Sequence, residues 1–488
     1  MTQDRGLASR LALLPTLSLA ALSFVALSLD GCATVGPNFT PPAPPTAPGY
    51  AGPSDKTSII AAVTTDTRAA GPWWCALGSP TLDAVMDRAL AHNQTVAASV
   101  ATLEKARAQA ERERATLGPS ATANATFQRE RINTSAFGFA GFPSPTISLF
   151  NIGPSVSYDL DVVGGSRRRV ESLRARAEAE VFRADAAYLA LTGNVALQAA
   201  RIAALRFQIE TIDGVAKDDR QSIDILAKAE AVGGDSPSAG LGGKLQLQQD
   251  LAVLPPLAQQ LAMARHALAL LVGEAPGQWS PPDFTVDDFK PPTTIPVVLP
   301  SALVRSRPDI RAAEADLHAD TAAIGVQTAR LYPDIRLVAG FSQEGVTPGS
   351  LFGFGASAYD FGPQISAPLF DGGAIRADRR AAQAQARISL AHYQQTVIAA
   401  FVQVSDVLSA LAQDEDRLAT LGRAEATARA SLDSARAAYG LGGVPLAAVV
   451  SADRTWRRAS LLRVEAVGQR LQDTIALYGA TASDWRKP

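Results

Sequence analysis

The sequence predicts a mixed α/β membrane protein, in which each chain contributes four β-strands to a β-barrel shared between copies and long paired α-helices follow the strands. Three observations predict this class. Strand-length segments alternate polar and apolar residues. A heptad pattern occurs within a stretch from residue 166 to 229 that contains no proline. The order of elements occurs twice along the chain. A signal sequence at the N-terminus favours a membrane location for the strands.

Composition narrows the possible classes of protein. The 488 residues include 45 Lys and Arg against 47 Asp and Glu, for a formal net charge of −2. Nucleic-acid-binding proteins usually carry a basic domain or stripe, so we expect no nucleic-acid partner. Apolar residues make up 47% of the chain and aromatic residues 6%, which suits closely packed helices. The chain has two cysteines, too few for a disulfide scaffold.

Residues 1–31 have the pattern of a secretory signal peptide, with basic residues before a mostly apolar run from Leu11 to Leu29. The segment Leu29-Asp30-Gly31-Cys32 resembles a bacterial lipobox, in which the cysteine is acylated after cleavage. We therefore predict lipidation at Cys32. By the same resemblance, Ala33 favours sorting to the outer membrane. The alternative is an ordinary signal peptide or membrane span in which the cysteine has no role.

Residues 32–72 form a lipidated, proline-rich segment. Its prolines stand at positions 37, 41, 42, 44, 45, 48, 53 and 72. Proline lacks a backbone N–H and fixes its φ angle, so such a segment is extended. We expect a tether between the lipid anchor and the body of the protein. If Cys32 is acylated, Cys75 has no partner within the chain, and we expect it to be a small buried residue.

The rest of the chain contains two copies of one structural repeat. Asn93-Gln94-Thr95-Val96 aligns with Arg307-Pro308-Asp309-Ile310, and Leu117-Gly118-Pro119-Ser120 aligns with Leu331-Tyr332-Pro333-Asp334, both at an offset of 214. Such self-similarity indicates internal duplication.

The duplication predicts the domain organisation. The first repeat, 73–273, contains a helix, a β-hairpin over 120–162 and a helical hairpin over 166–273. The second repeat, 301–488, contains a helix, a β-hairpin over 334–370 and a helical hairpin over 373–480. Residues 274–300 are rich in proline and lack periodicity, so they are predicted to be a linker.

Each predicted hairpin has one apolar and one polar face. The apolar positions are Ala121, Ala123, Ala125 and Phe127, then Ile152, Val156, Tyr158, Leu160 and Val162, then Ile335, Leu337, Ala339 and Phe341, then Ile365, Ala367 and Leu369. Alternation over about ten residues is typical of a transmembrane barrel strand. A half-buried strand of a soluble sheet shows the same pattern, and the signal sequence favours the membrane. Four strands cannot close a barrel, because an open edge cannot lie in lipid. Two copies would supply eight strands and three would supply twelve.

The helices carry a heptad pattern. Val181, Tyr188, Val195, Ile202 and Ile209 recur every seven residues. This spacing indicates a seam between paired helices, either in an ordinary coiled-coil bundle or in a hollow helical barrel that continues the β-barrel. The helices of each pair are predicted to turn at residues 233–237 and 440–445, where Gly is followed by Pro.

The sequence contains no group of residues spaced as in a known type of catalytic site. The four histidines, at positions 92, 266, 318 and 392, are scattered and are not spaced for metal binding. We therefore expect no enzyme activity, no cofactor and no metal site. The basic segment Gly164–Arg169 follows a strand and opens a helix. It either faces lipid head groups or is a solvated first helical turn.

Four stretches resemble the outer-membrane efflux channels, specifically the NodT-type lipoproteins related to TolC. They are Cys32-Ala33-Thr34-Val35-Gly36-Pro37-Asn38-Phe39; Trp73-Trp74 with Leu77-Gly78-Ser79-Pro80; Leu299–Leu303 through Arg307-Pro308-Asp309-Ile310 to Tyr332-Pro333; and Pro368-Leu369-Phe370-Asp371-Gly372-Gly373. The resemblance covers nearly the whole chain after the signal peptide.

This resemblance implies a homotrimer with a twelve-stranded barrel in the outer membrane of a Gram-negative cell, lipid-anchored and extended into the periplasm by a helical tunnel. Residues 274–300 would lie in an equatorial belt around that tunnel. The channel would be passive, exporting small molecules delivered by a periplasmic adaptor and an inner-membrane transporter of the resistance-nodulation-division type. The alternatives are an exit duct for type I protein secretion and a non-conducting coiled-coil stalk.

The resemblance also points to site residues. In TolC-like relatives, acidic residues soon after the second helical tip narrow the closed pore. Counted from Tyr439 and Gly442, those positions here are Ala448 and Ser451, with Asp453 nearby. Asp235 on the first tip is a candidate to replace them. The gate candidates are thus Asp235, Tyr439, Gly442, Ser451 and Asp453, and the family-motif candidates are Arg307, Pro308, Asp309, Gly372 and Gly373.

Overall fold

A computed structural model describes residues 34–45, 50, 72–138, 141–232, 236–290 and 300–481. The predicted signal peptide, Cys32 and the gate candidate Asp235 lie outside these residues. So do most of the proline-rich segment and the last part of the predicted linker.

The same order of elements occurs twice. In the first half, the helices and strands are α1 (Pro80–His92), α2 (Gln94–Ala115), β1 (Ser120–Arg131), β2 (Thr146–Asp159), α3 (Gly165–Ala231), α4 (Pro237–Leu251) and α5 (Leu254–Val272). In the second half, they are α6 (Pro300–Ser306), α7 (Pro308–Ala329), β3 (Asp334–Gly345), β4 (Ser357–Ser366), α8 (Ala374–Gly440) and α9 (Leu446–Thr481). The two long helices, α3 and α8, each contain 67 residues, as an internal duplication predicts.

The four strands form one antiparallel sheet in the order β1-β2-β3-β4. The central pairing joins the two halves of the sequence, since Ser155 of β2 lies opposite Gly340 of β3. The prediction of four strands per chain is therefore confirmed. Strand β2 ends earlier than the alternation indicates. Leu160 and Val162 follow it, because Asp161 has a φ of 41° and turns the chain toward α3.

The partner helices of the two long helices differ. Helix α9 is continuous over 36 residues, whereas its counterpart is divided into α4 and α5 at Ala252 and Val253. Pro255 and Pro256 follow this break. A proline ring clashes with the carbonyl group four residues before it and removes a hydrogen bond, so the two prolines can begin α5 but cannot continue α4.

The chain divides into two compact units. The first contains the N-terminal segment as far as Pro42, Glu104–Glu178 and Glu314–Ala391, and it includes the sheet. The second contains Ala43–Leu103, Ala179–Ala313 and the chain from His392 onward, and it includes most of the helical residues. Each unit takes segments from both predicted repeats, because strands and helices of the two repeats pair with one another.

The heptad positions form the core of the second unit. Val195 and Ile202 of α3 are fully buried, together with Leu268 of α5 and Ile475 of α9. A separate cluster contains Val397 and Val404 of α8 with neighbours from α6 and α7. Much of the first core consists of alanine. The buried alanines of α3 are Ala196, Ala199, Ala200 and Ala203.

Cys75 is exposed, so the prediction of a buried residue is wrong. It lies in a short 3-10 turn, Trp73–Leu77, which buries Trp73, Trp74 and Leu77 against the core and leaves Cys75 on the other side. The Cys75 Sγ donates a hydrogen bond to Asp83 Oδ1 at 3.8 Å. Partial desolvation and the nearby Asp83 carboxylate raise the pKa of this exposed thiol above its usual value.

Helix α8 contains an 18-residue window with a mean hydropathy of 1.5 and at most two charged residues. Its length and composition would allow it to cross a membrane. Only 17% of that window is buried within the chain, so its apolar side chains are available for contacts with other molecules.

Candidate gate and membrane sheet

The sheet has one apolar and one polar face. On the apolar face, Ile152 is 48% exposed and Phe361 is 81% exposed. On the polar face, Asn151 Nδ2 donates to Glu344 Oε1 at 2.7 Å, so polar side chains of neighbouring strands bind one another. The large apolar side chains thus lie on one face of the sheet, and the polar side chains that bind one another lie on the opposite face.

Both edges of the sheet are open, because β1 and β4 each pair with one strand among the residues that the structure describes. Every residue of β1 is exposed. An edge strand presents unpaired N–H and C=O groups, which serve as a template for pairing with another strand. The sheet can therefore be extended at both ends by copies of itself.

The predicted Gly372-Gly373 motif is a tight turn that begins α8. Both glycines have positive φ angles, 64° and 89°, which favour glycine. The Asp371 side chain accepts hydrogen bonds from Gly373 N at 2.8 Å and Ile375 N at 2.7 Å. These bonds satisfy backbone donors at the start of the helix, so the motif positions the helix relative to strand β4.

The Arg307-Pro308-Asp309 motif joins three helices of the second unit. Pro308 is the first residue of α7. The Arg307 guanidinium donates to Ala480 O of α9 at 2.7 Å, to Gln403 Oε1 of α8 at 2.9 Å and to Asp309 Oδ2 at 2.7 Å. The planar fork of arginine can make several such bonds at once. The motif thus fixes the start of α7 against α8 and α9.

Tyr439 lies in the last turn of α8, and Gly442 lies in the turn between α8 and α9. Gly442 has a φ of 75°, and its N–H donates to Tyr439 O at 2.9 Å. Leu441, in the same turn, is 88% exposed. The two candidates shape the tip, whose most prominent side chain is apolar.

Asp453 lies in a buried cluster of charged residues. Its carboxylate pairs with Arg457, one helical turn further along α9, and with Arg436 of α8 at 3.5 Å. Arg457 is 7% exposed and also pairs with Asp218 at 3.4 Å and with Asp219 at 3.7 Å, both on α3. Within a single chain, Asp453 therefore holds α9 against α3 and α8. Ser451 is exposed and borders the adjacent cavity.

This cavity has a volume of about 460 Å³ and is lined largely by polar side chains of α3, α4 and α9. Burial, followed by a hydrogen bond with Asp250, raises the pKa of Asp219 to about 6, although Arg457 opposes this rise. Asp453 also contributes to the rise. The Asp219 carboxyl group therefore holds a proton more readily than an ordinary aspartate does.

A second acid pair joins α8 and α9. Burial and a hydrogen bond with Asp473 raise the pKa of Asp414 to about 6, while Arg417 and Arg470 lower it. Among the residues described, no group of three or more His, Cys, Asp or Glu side chains is placed to hold a metal ion.

The Asp219–Arg457 contact was not predicted from the sequence. The spacing of four residues between Asp453 and Arg457 is typical of an ion pair along a helix, so this pair is predictable from the sequence. The partners on α3 give no such signal, because they lie more than 230 residues away in the sequence.

Comparison with known proteins identifies the family of this chain. The family model described as "Outer membrane efflux protein" matches residues 85–274 and 299–483. The pyoverdine export outer membrane protein OpmQ of Pseudomonas aeruginosa is 28% identical over 463 residues, which cover 94% of this chain and 96% of OpmQ. The nodulation protein T of Rhizobium leguminosarum bv. trifolii is 25% identical, over 90% of this chain and 92% of that protein.

A solved structure agrees in fold. The outer-membrane channel OprN superposes with a TM-score of 0.85 and 25% identity, over 93% of this chain and all of the OprN chain. The predicted resemblance and fold class are thus confirmed by sequence and by structure. The family match covers both repeats and most of the elements described above. The chain belongs to the outer membrane efflux protein family.

Proposed function

We propose that three copies of this chain form the outer-membrane channel of a tripartite efflux system, a passive duct through which small molecules leave the cell. The channel would dock on a periplasmic adaptor, and an inner-membrane transporter of the resistance-nodulation-division type would supply the energy and choose the cargo. Family membership supports the role of an efflux channel. The number of copies and the partners are the parts of the proposal that need a test.

The observation that carries the proposal is the four-stranded sheet with two open edges. An open edge cannot lie in lipid, because its N–H and C=O groups would have no partners. Spanning barrels contain eight or more strands, so the sheet must be completed by other copies. Strand β1 of one copy would pair with β4 of the next. The family resemblance favours three copies, which give twelve strands.

The exposed faces support the same assembly. The apolar side chains Ile152 and Phe361 would face lipid, while the polar face with Asn151 and Glu344 would line the water-filled interior. A non-conducting stalk would not need a sheet that has one apolar and one polar face. The stalk is therefore the less favoured function.

Apolar side chains at both helical tips support docking on an adaptor. Val232 at the end of α3 is 82% exposed, and Leu441 in the turn after α8 is 88% exposed. Covering these side chains with a partner protein removes apolar surface from water, which favours binding. We propose that the two tips form the adaptor-binding end of the channel.

The gate is a further part of the proposal. Because Asp453 is committed to Arg457 and Arg436, it is poorly placed to form an acidic ring around a pore. Asp235 remains our candidate for that ring, although it lies outside the described residues. The Asp453–Arg457 cluster would act instead as a latch that holds α9 against α3 in the closed channel.

The test is single-channel conductance of the purified protein in planar bilayers, with its mass measured in the same detergent. A conducting trimer would support the shared barrel. A monomer or dimer without conductance would contradict it and revive the stalk. In the same assay, Asp235→Asn should change conductance and cation preference. If both stay unchanged, Asp235 is not part of the gate.

A further inference from the structure

A buried arginine fixes the segment that follows the predicted lipidation site. Arg168, in the first turn of α3, is 3% exposed. Its guanidinium donates to Val35 O at 3.1 Å, to Asn38 Oδ1 at 2.6 Å and to Glu171 Oε2 at 2.8 Å. The Val35 N–H in turn donates to Val163 O at 3.0 Å. Thus Arg168 neither faces lipid head groups nor forms a solvated turn, the two alternatives for this basic segment.

Three glycines make room for this segment. Gly36 has a φ of 92°, and a Cβ there would lie 2.5 Å from the Gly325 Cα. A Cβ on Gly325 would lie 2.8 Å from Val35 O, and one on Gly164 would lie 2.5 Å from Thr34 Cγ2. Real Cβ contacts are never this short, so the segment occupies a slot that excludes larger residues.

The far end of the segment is held by stacking. The ring of Phe39 lies against the ring of His318, with centroids 4.5 Å apart and planes 15° apart. His318 Nε2 lies 3.1 Å from Glu171 Oε1, so the Glu171 carboxylate contacts both His318 and Arg168. All these residues belong to the first unit, which also contains the sheet.

We propose that residues 34–39 form a docking strap that fixes the acylated Cys32 beside the end of the sheet where β2 leads into α3. Cys32 is two residues before Thr34, and two residues span at most about 7 Å. Val163 comes four residues after the last residue of β2, Asp159. The lipid anchor would thus enter the membrane beside the barrel wall rather than at the end of a loose, proline-rich tether. This inference rests on the outer-membrane channel proposed above and on the lipidation predicted at Cys32.

The strap itself can be tested by hydrogen–deuterium exchange of the peptide that contains Val35, in the purified full-length protein. Gly36→Ala and Arg168→Gln should each make this peptide exchange at least about 100-fold faster. Gly138→Ala is the matched control, because Gly138 has a similar φ of 83° but no atom near its Cβ position. Fast exchange in the unmodified protein, or equal exchange in Gly36→Ala and the unmodified protein, would overturn the strap.

The position of the anchor can be tested with a Gly-Ser insertion of about six residues. Between Ala33 and Thr34, the insertion separates Cys32 from the strap. The anchor then explores a larger volume, and we expect trimers to form about tenfold more slowly in a pulse-chase experiment on cells. Between Pro44 and Pro45, on the other side of the strap, the same insertion should leave the rate unchanged.

Equal rates for the two insertions would overturn the inference. Labelled palmitate and conductance are measured alongside, so that the outcomes remain distinct. If palmitate does not label the protein, the lipid anchor and its placement by the strap both fail, while the channel stands on its conductance. If the protein is labelled and the rates differ as expected but no current is seen, the channel proposal fails and the strap stands.

Discussion

Two buried arginines each join segments that are distant in sequence. Arg168 in the first unit and Arg457 in the second are 3% and 7% exposed. Both donate to backbone carbonyl groups as well as to carboxylates, Arg168 to Val35 O and Arg457 to Val215 O. A buried guanidinium is tolerated when its donors are paired in this way. A lysine at either position would leave carbonyl groups without a donor.

The first residue-scale prediction concerns the raised pKa of Asp219. Because its folded-state pKa is about 6 against a usual 3.8, the folded protein binds this proton more tightly than the unfolded chain does. The resulting stability is fully present below about pH 4 and is lost as the pH rises through 6. The largest loss is about 3 kcal/mol per carboxyl group.

In Asp219→Asn this part of the pH dependence should disappear, because an amide does not titrate. The difference in stability between pH 4.5 and pH 7.5 is measured by thermal unfolding of the detergent-solubilised protein. Asp414, whose pKa is also about 6, still titrates in this variant and contributes a similar loss of stability with rising pH. The total change in stability between the two pH values should therefore be roughly halved. A variant with the full dependence of the unmodified protein would show that Asp219 is not the titrating group.

The second residue-scale prediction concerns Arg307. In Arg307→Lys the single ammonium group cannot bind Ala480 O, Gln403 and Asp309 together, and the buried Ala480 carbonyl group loses a charged donor. We expect a loss of about 2–3 kcal/mol of unfolding free energy, measured by denaturant titration. Arg305→Lys, an exposed position on α6, is the control and should change stability little. Equal effects of the two changes would contradict the role of Arg307.

At the scale of elements, small residues allow the helices of the second unit to approach closely. A Cβ on Gly468 of α9 would lie 2.6 Å from the Cβ of Ala204 on α3. Ala204 is 4% exposed, and Ala203 beside it is fully buried. The high alanine content of the chain is thus explained by the short distance between helix backbones.

This close approach predicts opposite effects for two similar changes in α9. Gly468→Ala should destabilise the protein by about 1–3 kcal/mol, because the added methyl group overlaps Ala204. Gly479→Ala has no atom near its Cβ position and should stabilise by up to about 1 kcal/mol through helix propensity. Melting temperatures of the two variants test this, and stabilisation by Gly468→Ala would show that the helices are free to separate.

At the scale of the whole molecule, the proposed barrel predicts which face of the sheet meets lipid. Ile152→Arg places a charge on the apolar face and should cost about 2–4 kcal/mol near the middle of the membrane. Asn151→Arg, one residue earlier, places the same charge beside Glu344 on the polar face and should be tolerated. The yield of heat-modifiable trimers on gels distinguishes them. If both variants assemble equally well, the apolar face does not meet lipid.

The sequence by itself determined the classes of element and their order. Strand alternation, heptads and Gly-Pro turns depend on neighbouring residues, so the strands and long helices could be predicted from local patterns. The family resemblance extended this to the channel fold, which the comparisons confirm. The ends of the strands were predicted less accurately. Strand β2 ends at Asp159, because the chain turns at Asp161, so Leu160 and Val162 are not part of it.

Tertiary structure decided which charged and polar side chains are buried. Asp453 belongs to an ion-pair cluster rather than an exposed tip, Arg168 holds the N-terminal segment, and Cys75 is exposed. Arg168 and Val35 are 133 residues apart, and Arg457 and Val215 are 242 apart. Contacts over such separations depend on how distant segments of the chain pack together, and no local pattern records them.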